Sequence, residues 1–434
     1  MTDIMLAGVL LLVMFAFLGS GVLIGAGLLG VGLIMIELFT MRPVGASMAT
    51  TIWSNTSGWS LAALPLFVWM GEVLLRTRLA SNVFLGLAPM VRRVPGGLLH
   101  ANIGGCTAFS AVSGSSAATL LTVGRITLPE LRKRNYPDSL SCGTLAGAGT
   151  LGLMIPPSIT LIIYGLVVEE SIARLFMAGV LPGLMLAGLF FLYIFLWGLL
   201  SKEGRAMREP AAPWGEWLRG LGQLLPIAGL IVAVIGSIYT GIASPNEAAV
   251  VGLLGAFALS ALQRTLTLET FVESLSGAVR TTSMIFLLLA GAAVLTLAMG
   301  FSGLPRSLAD WVGGMDLSPT MLLLVLMVFF IVLGCFLDGM AMILLTIAVL
   351  EPMVRAAGID MIWFGIFVVL VGEMALITPP VGFNLFLVQS LSGRSIGFVA
   401  RAAAPMFGLM LIGAFLLIAF PQIALWLPNL LTGR

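Results

Sequence analysis

The sequence predicts an all-α polytopic membrane protein, and three observations carry this prediction. Of its 434 residues, 59% are hydrophobic and only 9% are charged, whereas a soluble domain carries about 25% charged residues. Apolar stretches of about 20 residues, each long enough to cross a bilayer as a helix, recur from one end of the chain to the other. These stretches do not alternate polar and apolar positions, as the strands of a membrane β-barrel would.

Composition also excludes several classes of site. His100 is the single histidine, so a His-rich zinc site is excluded. The three cysteines, Cys106, Cys142 and Cys335, have neither metal-ligand spacing nor the pattern of a disulfide framework. The net charge of +2 gives no sign of a nucleic-acid partner.

Eight apolar stretches predict uninterrupted membrane-spanning helices. They are residues 4–18, 21–39, 58–75, 172–200, 221–239, 247–262, 281–300 and 402–427. No basic segment typical of a signal peptide precedes the first stretch, so it is predicted to be a retained span. A polar segment at 50–57 is expected at the membrane interface, and the segment 263–279 is amphipathic.

Four further apolar stretches are interrupted by small or polar residues or by proline. The stretches are 96–128, 140–164, 318–350 and 361–391, and their interruptions are a first tip (113–119), a first break (149–158), a second tip (337–341) and a second break (377–384). Irregular backbone at membrane depth is tolerated only where it is buried in protein or lines a wet cavity. The four interruptions are therefore candidate sites.

A polar linker at 201–220 divides the chain into two halves, 1–200 and 221–434, that repeat each other. Gly105-Cys106 recurs as Gly334-Cys335, and a proline pair then interrupts the next apolar stretch in both halves. Internal symmetry of this kind marks many secondary transporters.

Charge asymmetry predicts how the halves are oriented. Five basic and two acidic residues flank 96–128, so both of its ends are expected in the cytoplasm, as in a re-entrant hairpin. Two basic and four acidic residues flank 318–350, so both of its ends are expected outside. Counting from these anchors gives about ten crossings, two opposed hairpins and two broken helices (140–164 and 361–391). The result is an inverted repeat with both termini outside.

The interruptions free backbone groups that a continuous helix would pair. Carbonyl and hydroxyl oxygens suit a hard cation such as Na⁺, and the N–H groups and dipole of a helix start suit an anion. Other interpretations stay open, since Ser and Gly often serve helix packing and a single proline often only kinks a helix.

Three carboxylates stand at notable positions. Asp338 either caps the helix that follows it or acts at a site, because a carboxylate within a membrane segment is costly. Glu373, just before the second break, has the same functional interpretation unless it faces a wet vestibule. Glu247 is predicted to pair with the dipole of a helix start. His100 is expected to be packed or interfacial rather than catalytic.

The interruptions resemble the large membrane subunit of tripartite ATP-independent periplasmic (TRAP) transporters. The residues that carry the resemblance are SGSSAAT at 113–119, AGAGTLGLMIPPS at 146–158, LDGMA at 337–341 and ITPPVGFNLF at 377–386, with TGIASPNEAA at 240–249 and RTTSM at 280–284. The resemblance covers nearly the whole chain. Ala348 departs from the family pattern, which has a proline there, and this puts the local helix geometry in doubt.

That resemblance implies a sodium-driven secondary transporter of a bacterial or archaeal cytoplasmic (inner) membrane. It implies an elevator mechanism, in which the hairpins and broken helices form a mobile domain. The implied substrate is a small organic anion, such as a dicarboxylate, a sialic acid, a keto acid or a sugar acid. A soluble periplasmic binding protein would deliver it, and a small four-helix membrane subunit is expected as a separate chain.

The resemblance also implies site residues. A first sodium site is expected between the first tip and the first break, with Ser113, Ser115, Ser116, Gly149, Thr150 and Pro156. A second sodium site is expected between the second tip and the second break, with Asp338, Gly339, Thr378, Pro379 and Gly382. The substrate is expected between the tips, with Ser116, Thr119 and Asn384 as its contacts.

Three alternatives stay open. An anion carrier of similar hairpin architecture, coupled to sodium or to protons, could work without a binding protein. An intramembrane hydrolase could pair a serine with His100, although the spacing of a nucleophile elbow is absent. A non-transporting scaffold subunit would have no need of broken helices.

Overall fold

The computed structural model is helical wherever it describes regular structure. It describes residues 20–39, 44–207, 212–303 and 317–432, with isolated positions before residue 20 and between these ranges. The all-α prediction is confirmed for this part of the chain. The predicted span at 4–18 lies largely outside the described residues.

The first half begins with paired helices and continues into the first two interrupted stretches. Its helices are α1 (Ile24–Phe39), α2 (Val44–Thr56), α3 (Ala63–Leu75), α4 (Leu79–Val91), α5 (Leu99–Ser113), α6 (Ser116–Lys133), α7 (Asp138–Thr150), α8 (Ile159–Val167) and α9 (Ile172–Leu200). Short 3-10 turns at Trp59–Ala62 and Leu151–Leu153 precede α3 and follow α7.

The second half follows a similar order. Its helices are α10 (Lys202–Ala206), α11 (Trp214–Ile231), α12 (Pro245–Leu262), α13 (Leu268–Ser302), α14 (Pro319–Gly334), α15 (Gly339–Ala356), α16 (Met361–Ala375), α17 (Phe383–Ser392), α18 (Ile396–Ala419) and α19 (Gln422–Thr432). A π-helical turn at Val232–Gly236 continues α11 to Tyr239.

Two helices extend beyond the predicted spans. α13 joins the amphipathic segment 263–279 and the predicted span 281–300 into one helix of 35 residues. α11 begins within the predicted linker, and its first turn carries Glu216, whose carboxylate lies 3.0 Å from the guanidinium of Arg92. A helix keeps its backbone hydrogen bonds outside the bilayer, so the loss of apolar residues does not by itself end it.

Six described helices are long and apolar enough to cross a bilayer: α9, α11, α12, α13, α15 and α18. A seventh crossing results if α2 and α3, bent by 56° at their junction, form one span. The broken helices 140–164 and 361–391 each consist of two shorter helices, α7 with α8 and α16 with α17, which would need each other to complete a crossing. The number of ten crossings therefore stays a prediction.

A glycine and a serine produce the turn between α5 and α6. Gly114 ends α5 in the left-handed conformation, with φ of +60°, which a residue without Cβ adopts at least cost. Ser115 then caps α6, because its Oγ accepts a hydrogen bond from the N–H of Ala118 over 3.4 Å.

The other interrupted helices restart in related ways. Ser158 caps α8 by accepting from the N–H of Leu161 over 3.3 Å. Asp338 Oδ1 accepts from the N–H of Ala341 over 2.7 Å and caps α15, so the capping interpretation of this residue is confirmed. α17 starts after Gly382, with φ of +54°, and has no side-chain cap.

The core is centred on α16, in which every residue is buried. Helices from both halves surround it, including α8, α9, α14 and α18. Tyr164 on α8 donates to the carbonyl of Met361 over 2.6 Å, and a Cβ at Gly365 would lie 2.5 Å from the Tyr164 ring. The halves are therefore packed into one core rather than placed side by side.

Two outer helix pairs each join a helix of one half to a helix of the other. α1 packs on α13, and α4 packs on α11. A Cβ at Gly25 would lie 2.7 Å from the Leu287 carbonyl, and one at Gly86 would lie 2.8 Å from the Gly220 carbonyl oxygen. These glycines therefore allow backbone-to-backbone contact between the helices.

Candidate functional site

The first tip is a cluster of hydroxyl and carbonyl oxygens. Ser113 Oγ and Thr119 Oγ1 are 2.7 Å apart, and Ser113 Oγ donates to the carbonyl of Ser115 over 3.3 Å. Both Ser113 and Thr119 are buried. Hard cations prefer oxygen ligands of this kind.

The backbone of the first tip rests directly on the first break. A Cβ at Gly152 would lie 2.6 Å from the Ser115 carbonyl oxygen, and a Cβ at Gly114 would lie 2.8 Å from that of Pro157. Any larger residue at either glycine would separate the two segments. The predicted site residue Gly149 lies against the Leu120 side chain instead, about one turn further along α6.

Thr150 and Pro156, also predicted at the first site, belong to the buried interior of the break. Thr150 donates to the carbonyl of Gly147 over 2.8 Å, and its hydroxyl lies 3.5 Å from Glu373 Oε2. Its side chain therefore makes contacts within its own helix and with α16. It has no hydrogen bond to the first tip within the described residues.

Glu373 is a fully buried carboxylate on α16. Its polar contacts are the long one with the Thr150 hydroxyl and one with the backbone of Met154, and its Oε1 has no hydrogen-bond partner among the described residues. A buried, poorly partnered carboxylate is costly, so Glu373 stays a candidate for a functional role. Because its side chain is fully buried, it does not face a wet vestibule in this structure.

The second break brings Thr378, Pro379 and Gly382 together. Thr378 donates to the carbonyl of Met374 over 2.7 Å, and a Cβ at Gly382 would lie 2.8 Å from the Thr378 carbonyl oxygen. The carbonyl of Pro379 lies 3.4 Å from Cys335 Sγ, just before the second tip. In the sequence, Cys335 stands out only as part of the repeated Gly-Cys pair, and this repeat does not predict its contact with Pro379.

Of the two predicted residues of the second tip, Gly339 approaches α16. A Cβ at Gly372 would lie 3.9 Å from Gly339 Cα. Asp338 lines a cavity of about 230 Å³ with residues 21–25 of α1 and its approach, and with Met284, Leu287 and Leu288 of α13. Within the described chain it has no hydrogen bond to the second break.

Ser116 and Asn384, both predicted substrate contacts, join the first tip to the second break. Asn384 Nδ2 donates to Ser116 Oγ over 2.8 Å, and Ser116 Oγ lies 3.0 Å from Asn384 Oδ1. Both side chains are buried. The third predicted contact, Thr119, points into the first tip through its contact with Ser113.

Two helix starts meet at these residues, and two others lie against the first tip or the first break. α6 starts at Ser116, and α17 starts at Phe383, one residue before Asn384. The backbone N of Ile159, which begins α8, would lie 3.5 Å from a Cβ at Gly114, and a Cβ at Gly339, which begins α15, would lie 3.4 Å from Leu153 Cδ1. Each helix start carries the positive end of a dipole and N–H groups without a partner inside the helix. At the start of α17, the Asn384 N–H donates to the Leu376 carbonyl over 3.0 Å. Of the four, only α17 has no side-chain cap.

A cluster of charged side chains around Asp138, which we call the Asp138 cluster, joins the far ends of α6 and α17. Asp138 accepts hydrogen bonds from Arg132 Nε over 3.0 Å and from Arg394 Nη2 over 2.5 Å, while Arg132 donates to the carbonyl of Ser392 over 2.5 Å. Burial raises the pKa of the Asp138 carboxyl, but the two arginines outweigh it and hold this pKa below its usual range.

Comparison with known proteins gives a consistent set of relatives. The family model of the DctM component of tripartite ATP-independent periplasmic transporters matches residues 11–423. The C4-dicarboxylate TRAP transporter large permease protein DctM of Pseudomonas aeruginosa is 33% identical over 92% of each chain. The ectoine/5-hydroxyectoine large permease UehC of Ruegeria pomeroyi is 33% identical over 86% of each chain. The sialic acid large permease SiaM of Vibrio cholerae is 30% identical, over 96% of this chain and 98% of its own.

Solved transporter structures share the fold. The crystal structure of the YdaH transporter of Alcanivorax borkumensis superposes with a TM-score of 0.64 at 15% identity, covering 93% of this chain and 98% of that one. Neisseria gonorrhoeae MtrF superposes with a TM-score of 0.57 at 11% identity, covering 89% and 85%. At these identities the likeness concerns the fold alone.

Proposed function

The chain belongs to the family of the DctM component of tripartite ATP-independent periplasmic transporters, and on that premise we propose that it imports a small organic anion by coupling to a sodium gradient. The resemblance found in the sequence is confirmed at the level of the family. Relatives of similar identity are named for C4-dicarboxylates, ectoine and sialic acid. Family membership therefore leaves the substrate open, and the proposed classes are dicarboxylates, sialic acids, keto acids and sugar acids.

The contact between Ser116 and Asn384 carries the proposal of an anion site. It places the positive ends of α6 and α17 side by side, and the start of α17 has no side-chain cap. Helix starts attract anions through their N–H groups and dipoles. The substrate would bind where these starts meet, between the two tips.

Oxygen atoms at the tips and breaks support the proposal of sodium sites. The first site would use Ser113, Ser115 and Ser116 with backbone carbonyls of the first break. The second would use the second tip with Thr378, Pro379 and Gly382. Asp338 would contribute its Oδ2, because its Oδ1 accepts the capping hydrogen bond from Ala341.

The transport cycle proposed is of the elevator type. The hairpins (96–128 and 318–350) and the broken helices (140–164 and 361–391) would move as a domain. The outer pairs, α1 with α13 and α4 with α11, would brace it. A small four-helix membrane subunit and a soluble periplasmic binding protein would complete the system in a bacterial or archaeal cytoplasmic membrane.

Thermal unfolding of the detergent-purified protein tests sodium coupling directly. Melting is measured in NaCl, KCl and choline chloride at equal ionic strength. A ligand that binds only the folded state stabilises it by about 2.7 kcal/mol at 100 times its dissociation constant. A saturable rise in melting temperature specific to sodium is expected. Equal melting in all three salts, with the small subunit also bound, would overturn the sodium sites.

Reconstitution then tests the need for partners. Uptake into proteoliposomes is measured with and without the small subunit and the binding protein. Uptake is expected only when both are present. Sodium- or proton-driven uptake by the chain alone would instead favour a carrier that works without a binding protein.

A further inference from the structure

The exposed face of α6 runs from the first tip to the Asp138 cluster. Buried residues occupy one side of the helix, and the residues that are exposed or half-exposed recur every three or four positions on the other, as expected for one helical face. They include Ala118, Leu121, Thr122, Arg125, Pro129 and Arg132. The face therefore extends over the whole length of the helix.

α17 lies beside α6 and runs in the same direction. The two helices touch at Ser116 and Asn384, and again further along, where a Cβ at Gly124 would lie 2.7 Å from Leu391 Cδ1. The exposed residues of α17 also recur at helical spacing: Phe383, Phe386 and Ser390. We call the exposed faces of these two helices the α6–α17 wall.

Arg125 stands in the middle of this wall. It lies nine residues after Ser116, about 14 Å along the helix, and seven residues before Arg132, about 10 Å. From Ser116 to Pro129 it is the only charged residue on α6, and α17 contains none. The described residues give Arg125 no ion pair and no side-chain hydrogen bond.

An unpaired guanidinium at this position indicates that water, rather than lipid, lies beside the wall. On the scale of helix insertion, an arginine at a helix centre costs about 2.5–3.5 kcal/mol in hydrocarbon; Arg125 lies three residues before the end of the predicted hairpin, where this cost is smaller. The predicted hairpin 96–128, which contains Arg125, has no other charged residue. A water-filled route beside the wall removes this cost, and it would link the helix starts at the tips to the arginines of the Asp138 cluster.

Resting on the proposed function, we propose that the α6–α17 wall lines such a route and that Arg125 binds a carboxylate of the transported anion on it. A guanidinium presents paired N–H donors that match the two oxygens of a carboxylate. The anion would pass from the helix starts near Ser116 to Arg125 and then to the cytoplasmic end of α6. Arg125 therefore determines preference for anionic over neutral substrates.

Cysteine labelling tests the route without any substrate. In inside-out membrane vesicles, Arg125→Cys is treated with a membrane-impermeant, water-soluble thiol reagent. The three native cysteines are buried and give a slow background. Leu254→Cys on α12, a position 62% exposed within an apolar span, is the lipid-facing control. Arg125→Cys is expected to react at least tenfold faster than the control. Equal rates would place the position in lipid and overturn the route.

Reagent charge tests the electrostatic role of Arg125. Thr122→Cys, one helical turn from Arg125, is labelled with an anionic and a cationic thiol reagent of similar size. The ratio of the two rates is expected to fall at least threefold when Arg125→Gln is added. It is expected to stay unchanged with Arg401→Gln, an exposed arginine on α18. An unchanged ratio of the two rates in the Arg125→Gln background would show that Arg125 does not attract anions to the wall.

Uptake connects both results to transport. Succinate, sialic acid, pyruvate and gluconate, one carboxylate for each proposed substrate class, are offered to the complete reconstituted system. For whichever anion the wild type takes up, Arg125→Gln is expected to raise KM at least tenfold, with partial recovery in Arg125→Lys. An unchanged KM would overturn the binding role. Failure of the wild type with all four anions would count against the proposed function, while the labelling results would still decide the route.

Discussion

Asn384 and Ser116 are 268 positions apart in the sequence, yet Asn384 Nδ2 donates to Ser116 Oγ over 2.8 Å. Ser116 begins α6 and Asn384 lies in the first turn of α17, so this contact holds a helix start of one half against a helix start of the other. Both residues are buried. The contact is thus part of the packing and, by our proposal, part of the anion site.

Asn384→Leu is expected to lower uptake at least tenfold while the protein still inserts. The change leaves the buried Ser116 hydroxyl without its partner, at a cost of about 1–3 kcal/mol, and it removes an amide from the proposed site. Sodium-coupled uptake and the amount of protein in the membrane are measured together. Asn82→Leu, on α4 and away from the tips, is the matched control. Wild-type uptake by Asn384→Leu would remove this residue from the substrate site.

Gly152→Ala is expected to abolish the sodium-dependent rise in melting temperature. Its Cβ would lie 2.6 Å from the Ser115 carbonyl oxygen and 2.9 Å from the Ser116 N, so the first tip must move away from the first break. Gly229→Ala on α11 is the control, because its Cβ would meet nothing within 4 Å. That control is expected to be neutral or slightly stabilising. A full sodium response in Gly152→Ala would show that the sodium site does not depend on this contact.

Much of the fold follows from local signals in the sequence. Gly114 ends α5, and Ser115 and Asp338 cap the helices that follow them; these residues belong to the interruptions within the apolar stretches. Helix length was less predictable, because α11 and α13 continue through polar residues that signalled a linker or an amphipathic segment. Hydropathy reports where a helix is in lipid, but hydrogen bonding decides where it ends.

Less of the site could be predicted, because its contacts join distant parts of the chain. The proximity of Ser116 and Asn384 was anticipated only through the family resemblance. The close approach of Gly152 to Ser115 depends on how two interrupted stretches pack, and no spacing in the sequence reveals it. Arg125 carried a local signal that was overlooked, namely a charged residue inside an apolar stretch.

Asp138→Asn is expected to lower stability by about 1 kcal/mol at neutral pH, in line with partly exposed ion pairs. The arginines hold the pKa of Asp138 below its usual range in the folded protein, in spite of its burial. The stabilisation is therefore fully present above the unfolded-state pKa of about 3.9 and is lost as the pH falls through the folded-state pKa. Melting temperatures of the two proteins at pH 7 and at lower pH should converge below about pH 4.

Glu130→Gln, which breaks the exposed pair with Lys133, is the control. A constant difference at every pH would mean that the charge of Asp138 is not the cause.

Glu373→Leu is expected to raise the melting temperature and to abolish transport. The carboxylate is fully buried, its Oε1 has no hydrogen-bond partner in the described part of the chain, and its Oε2 is 3.5 Å from the Thr150 hydroxyl. Removing such a poorly satisfied group in favour of an apolar side chain of similar size is expected to stabilise the fold by about 1–3 kcal/mol.

A residue kept only for packing would not carry this cost, so loss of uptake together with a gain in stability would identify a functional role for Glu373. Thr150→Val, which removes the hydroxyl 3.5 Å from the carboxylate, is the companion variant, and its uptake should fall less. Lower stability in Glu373→Leu would instead show that the carboxylate supports the junction of the first break with α16.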